Sequence, residues 1–137
     1  MKEDILAPVP PAQARMKNPL VLAYVGDTVF DLYVRTRAAK GSDEHVGALN
    51  RQVCALVNAR SQARLADELC PCFTGEEAEI YHRGRNAKVG SVPRNMEVID
   101  YHKATGLEAV VGYLFLTGAK ARLEELFGMV FAGQEGE

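Results

Sequence analysis

The sequence predicts an all-α domain of about six or seven helices. Three observations carry that reading: apolar residues recur at steps of three and four, no stretch alternates with period two, and Gly, Pro and cap residues cut the pattern into helix-length pieces. At 137 residues the chain is sized for one domain, able to bury roughly two-thirds of the surface its unfolded form would expose. Apolar residues make up 47% and charged residues 25%, the composition of an ordinary soluble globular protein.

Residues 1–17 hold Pro8, Pro10 and Pro11 with little hydrophobic pattern, and are expected to form an extended, poorly ordered arm. A compact domain is expected over 18–132, followed by a short polar tail over 133–137. The first helix is PLVLAYVGDTVFDLYVRTRAAK, from Pro19 to Lys40, with Leu22, Val25, Val29, Leu32 and Thr36 on its core stripe and Gly41 as its stop. Ser42 is expected to cap the next, with Asp43 and Glu44 in the first turn and Val46, Leu49, Val53 and Leu56 as the buried seam. Asn58 reads as a break and a new cap, and Ala59, Ala63, Ala66 and Leu69 then form a narrow face of small residues that lets another helix approach.

Pro71 ends that helix, and Thr74-x-x-Glu77 is the capping box of the following one, which runs through Ile80 and Tyr81 toward Arg85. The stretch NAKVGSVPRN, residues 86–95, reads as a loop. A short helix is expected over 97–103, then an apolar helix with Leu107, Val110, Val111, Leu114 and Phe115, ending at Gly118. The last helix buries Leu123, Leu126, Phe127 and Val130.

The N-terminus lacks the apolar segment of a signal peptide, and no uncharged run approaches the ~18 residues of a transmembrane helix. A soluble, cytoplasmic protein is therefore expected, with Cys54, Cys70 and Cys72 as reduced thiols. Cys70 and Cys72 are spaced too tightly for a zinc knuckle and have no second pair. Net charge is only -2, but residues 81–103 hold five basic residues against two acids, leaving -5 for the remainder. That separation favours a polyanion at one face, although a solvated loop with incidental charge would look the same.

Two apolar helices each carry one acid beside small residues: Gly26 and Asp27 in the first, Glu108 with Ala109 and Gly112 in the later one. An ionised carboxylate inside an apolar helix is costly unless paired or bound to a metal, so Asp27 is expected to be buried and stabilised. Glycines at 26 and 112 would let the helices cross closely and bring Asp27 and Glu108 to one hard cation. Two firm acids with a wet remainder suit Mg2+ better than zinc, which would want His or Cys. Asp31, one turn beyond Asp27, is a further acid on that side. Plainer readings stand beside these: Thr105-x-x-Glu108 is also a capping-box spacing, Asp27 could pair with Arg85, Asp31 could be a helix-surface acid, and His82 and His102 could be ordinary satisfied side chains.

LAYVGDTVFDLYV, residues 22–34, resembles the signature helix of the ribonuclease III family, and LEAVVG, residues 107–112, resembles its second acidic motif. The RGRNAK segment at 83–88, the VPRN turn at 92–95 and the lack of a double-stranded-RNA-binding domain resemble the family's Mini-ribonuclease III branch. The resemblance covers about residues 18–131. It implies a ribonuclease III-like endonuclease domain, with Asp27 and Glu108 as catalytic Mg2+ ligands, Asp31 as a possible third, and Tyr24 at the interface of a homodimer. Ala23 and Thr105 stand where full-length members carry two further acids.

What the resemblance further implies is hydrolysis of double-stranded RNA to 5'-phosphate and 3'-hydroxyl ends, in maturation of large-subunit ribosomal RNA precursors, with ribosomal proteins on that substrate as further partners. Arg83, Arg85, Asn86, Lys88 and Arg94 are the expected RNA contacts. Two other classes remain open at this level. The missing acids would suit a non-catalytic duplex-binding helical dimer. An all-α nucleotide pyrophosphohydrolase would also use helix carboxylates and Mg2+, but here the Glu-rich stretches at 76–79 and 124–125 lie away from the apolar acidic helices.

Overall fold

A computed structural model describes residues 4–41, 43 and 45–135. Among them are seven α-helices and no strand: α1 (Pro11–Arg15), α2 (Pro19–Gly41), α3 (Val46–Val57), α4 (Ala59–Leu69), α5 (Gly75–Arg85), α6 (Val98–Leu116) and α7 (Lys120–Glu135). A single 3-10 turn at Cys70–Cys72 links α4 to α5, where Pro71 removes the amide a longer helix would need. The all-α expectation holds. α6 is the central element, packed against α1, α2, α4, α5 and α7. Residues 104–107 and 109–114 are buried without interruption, as a helix surrounded on all sides requires.

Several local signals act as read. Asn58 caps α4 by accepting from the Ser61 N–H at 2.9 Å. Thr74 and Glu77 close a reciprocal capping box at 3.1 and 3.0 Å. Gly118 takes φ 73° just after α6, a left-handed stop that a side chain would oppose. Leu123, Leu126, Phe127 and Val130 are the buried seam of α7, with Phe127 stacked on Tyr33 and tilted against Phe30 of α2.

Four expectations are corrected. The helix over 97–103 and the apolar helix after it are one continuous α6, because Thr105 does not cap: its hydroxyl donates to the Tyr101 carbonyl one turn back, at 2.9 Å. α3 starts at Val46 after His45, so Asp43 precedes the helix, while Ser42 and Glu44 lie outside the described residues. Of its expected seam only Val53 is buried, and Val46 is exposed. On α2 the buried set is Leu22, Ala23, Gly26, Val29, Phe30 and Val34, whereas Leu32 is 58% exposed.

The N-terminal arm is the fourth. It is packed from Val9 onward rather than extended: the Val9 N–H donates to the Leu116 carbonyl at 2.7 Å, and Ala14 of α1 is fully buried. Arg83 of α5 completes the attachment by donating to the carbonyls of Arg15 and Lys17 at 2.7 and 3.1 Å. Charge-assisted bonds of this kind are worth about 1.5–3 kcal/mol. Arg83→Ala should therefore lower stability by about 2 kcal/mol and expose residues 9–17 to proteolysis. Limited trypsin digestion followed by mass spectrometry would read the first new cut in that segment.

Candidate active site

α2 and α6 touch at the level of their backbones. A Cβ added at Gly26 would lie 1.7 Å from the Glu108 carbonyl oxygen, and one added at Gly112 would lie 1.9 Å from that of Leu22. No side chain fits in either place, so the two glycines are what permit the crossing. Asp27 follows Gly26 directly, and Glu108 lies one helical turn before Gly112. The crossing that the glycines allow therefore sets the two acids side by side, close enough for the Asp27 carboxyl to act directly on that of Glu108.

Asp27 is not the buried acid that its place in an apolar helix suggests. Asp27 is exposed, at the border between the core face of α2 and a solvent-facing apolar stripe, and Glu108 is the half-buried partner in α6. A helix apolar on all sides has two candidate inward faces, and periodicity alone does not choose between them. Burial, then the bond to Asp27 and the charge of Asp27, push the Glu108 carboxyl up to about 9, while a hydrogen bond with Gln62 of α4 acts in the opposite direction. Two carboxyls this close cannot both ionise cheaply without a positive charge to offset them.

The donor set fits a hard divalent ion of the Mg2+ type, which takes one or two carboxylates and fills its octahedron with water and substrate phosphate oxygens. Asp27 supplies a solvent-facing oxygen donor and Glu108 a desolvated one. Among the described residues no group of three or more His, Cys, Asp or Glu side chains is placed to form a closed cage. Continuous α6 removes the capping-box alternative for Glu108.

Asp31 lies on the flank of α2 one turn beyond Asp27, where its carboxylate pairs with Arg35 at 2.9 Å; the structure does not bring it into the Asp27–Glu108 contact. Tyr24 is 81% exposed, with Val21 at 47% on the same side. Asn86 ends α5, with its N–H donating to the His82 carbonyl at 2.9 Å. Lys88 and Arg94 are exposed in the loop that follows, Arg85 is half-buried, and Asn95 turns the chain there with φ 67°. Arg83 is occupied by the arm. Gln62 was missed in the sequence, yet it falls on the same i, i+3, i+4 stripe as Ala59, Ala63, Ala66 and Leu69, and a polar residue on a buried stripe is itself a signal.

A family model described as the Ribonuclease III domain matches residues 20–119. The chain is 43% identical over 122 residues to the Mini-ribonuclease 3 of Desulfitobacterium hafniense, a match covering 88% of this chain and 77% of that protein. It is 38% identical over 122 residues to the Mini-ribonuclease 3 of Brevibacillus brevis, covering 89% and 91%. A crystal structure of a Fusobacterium nucleatum protein superposes with a TM-score of 0.80 at 28% identity, covering 88% of this chain and 96% of that one.

Proposed function

The chain belongs to the ribonuclease III family of endoribonucleases, and we propose that it cleaves double-stranded RNA by Mg2+-dependent phosphodiester hydrolysis, leaving 5'-phosphate and 3'-hydroxyl ends. The observation that carries the proposal is the Asp27–Glu108 pair brought together at the glycine crossing of α2 and α6, one acid open to solvent and the other half-buried. These two residues are the catalytic cation ligands in this reading. When bound, Mg2+ supplies activation of the attacking water and stabilisation of charge on the leaving oxygen.

The chain's own part is to present the donors and the duplex. Glu108 gives up its proton as the site becomes charged, and its half-buried position limits the carboxylate's contact with bulk water. Asp27, on the open side, faces the phosphate that arrives. Arg85, Asn86, Lys88 and Arg94, at the end of α5 and in the α5–α6 loop, are the proposed backbone contacts. An A-form duplex is read by shape, phosphate and 2'-hydroxyl rather than base edges, so binding through such residues should weaken steeply with salt. Replacing Lys88 and Arg94 together with alanine should reduce the slope of log Kd against log salt by about 1–2, read by filter binding at several salt concentrations; an unchanged slope would remove them from the interface.

Tyr24, Val21 and Leu32 lie on one exposed apolar stripe of α2, the kind of surface that marks a protein interface. In the proposed homodimer a second copy covers it. Leu32→Asp should weaken self-association at least about 30-fold, measured by sedimentation velocity, and a parent already monomeric at tens of micromolar would contradict the dimer. The substrate proposed within the cytoplasm is the precursor of large-subunit ribosomal RNA, met with ribosomal proteins already on it.

The test of the activity is a long RNA duplex incubated with wild type and with Asp27→Asn, each with and without Mg2+. Cutting by the wild type in Mg2+ alone, and duplex retained uncut by the variant, is the expected pattern. A duplex held but never cut by the wild type would instead favour a binding protein without catalysis.

A further inference from the structure

We propose that Gln62 is a positioning residue for the acidic pair, its side-chain amide holding Glu108 from the α4 side so that the carboxylate is presented toward Asp27. The proposal rests on the reading of Asp27 and Glu108 as cation ligands. Gln62 is only 3% exposed, on the buried face of α4 where that helix packs against α6, and its side chain acts on the Glu108 carboxyl from that side. Its neighbours on the buried stripe, Ala59, Ala63 and Ala66, carry only methyl groups. They let α4 approach α6 closely enough for a carboxamide to reach the half-buried Glu108 carboxyl.

The chemistry of the amide suits the position. A carboxamide offers N–H donors to an ionised Glu108 and a carbonyl acceptor to a protonated one, so it satisfies the acid in both states. It adds no charge. An arginine or lysine in its place would neutralise Glu108 permanently and repel a divalent ion, whereas glutamine leaves the negative charge available on the Asp27 side. Such outer partners fix the orientation of a metal-binding group, and their loss costs about 10–100-fold in metal affinity or activity.

Gln62→Met keeps the volume and removes the amide. With intact protein and Mn2+ as the probe, free ion read by electron paramagnetic resonance, the variant should bind Mn2+ about 10–100-fold more weakly than wild type. The Mg2+ concentration for half-maximal duplex cleavage should rise by a similar factor, KM for the duplex should stay within about two-fold, and saturating Mg2+ should restore most of kcat. A variant that melts lower but binds Mn2+ as wild type does would overturn the proposal, since Gln62 would then only fill space. Asp27→Asn separates the two readings. If it abolishes Mn2+ binding while Gln62→Met leaves binding unchanged, the positioning role alone fails; if Asp27→Asn binds Mn2+ normally, the acidic pair is not the metal site and both readings fail. Should Gln62→Met not fold, Gln62→Leu serves with the same readouts.

Discussion

Glu108→Gln should abolish cleavage and yet stabilise the cation-free protein at alkaline pH. Loss of one of two charged ligands is expected to reduce kcat/KM at least about 1,000-fold. The stability effect follows from burial. Glu108 is pushed up to about 9 from 4.5, so the folded protein keeps a proton that the unfolded chain releases at about 4.5. Between those values the unfolded state binds fewer protons, and stability falls as pH rises. Its contribution is complete below about pH 4.5 and lost as pH climbs through about 9. Glutamine is neutral at every pH and removes that slope. In EDTA, the melting temperature of Glu108→Gln relative to wild type should be higher at pH 8.5 than at pH 5, by at least about 1 kcal/mol or roughly 3–5 °C. Parallel melting curves across that range would show that Glu108 carries no such burden. A ligand kept at a cost in stability is what a site adapted to bind charge requires.

Gly112→Ala is the second large effect. The new methyl carbon would sit 1.9 Å from the Leu22 carbonyl oxygen and 2.8 Å from its carbon, and backbone atoms have no rotamer by which to escape. The α2–α6 crossing must open, at a cost of about 3 kcal/mol or more. Even where the variant folds, a shift of about 1 Å between Asp27 and Glu108 would reduce turnover about 100-fold. Gly128→Ala is the control: it lies within α7 with nothing within 4 Å of the added carbon, so alanine there should raise stability by about 0.5–1 kcal/mol through helix propensity. Denaturant melts of the two variants should move in opposite directions. Destabilisation of both by similar amounts would mean that the close crossing at Gly112 is not what distinguishes that position.

The parts of this protein legible in its sequence are those whose signals are local. The Thr74–Glu77 box and the Asn58 cap depend on residues three apart, and the α7 seam on one helix's period, so each could be read from a short window. The meeting of Asp27 with Glu108 was legible for a different reason: each acid sits beside a glycine in an apolar helix, and glycine there has little use other than close approach. What escaped the sequence is set by distant partners. Arg83 looked like a free phosphate contact because nothing nearby reveals the carbonyls of Arg15 and Lys17 waiting for it. Thr105 imitated a cap at the right spacing while lying inside a helix. Asp27 was placed in the interior because α2 is apolar on both sides, and one of those sides, with Val21, Tyr24 and Leu32, faces outward.

The account depends on the Asp27–Glu108 pair holding the working ion, and anomalous scattering from crystals grown with Mn2+ and an RNA duplex tests it most directly. A manganese peak should lie within about 2.0–2.3 Å of a carboxylate oxygen of each residue, with the remaining positions taken by water and phosphate. A peak elsewhere on the molecule, with none at Asp27 and Glu108, would contradict it.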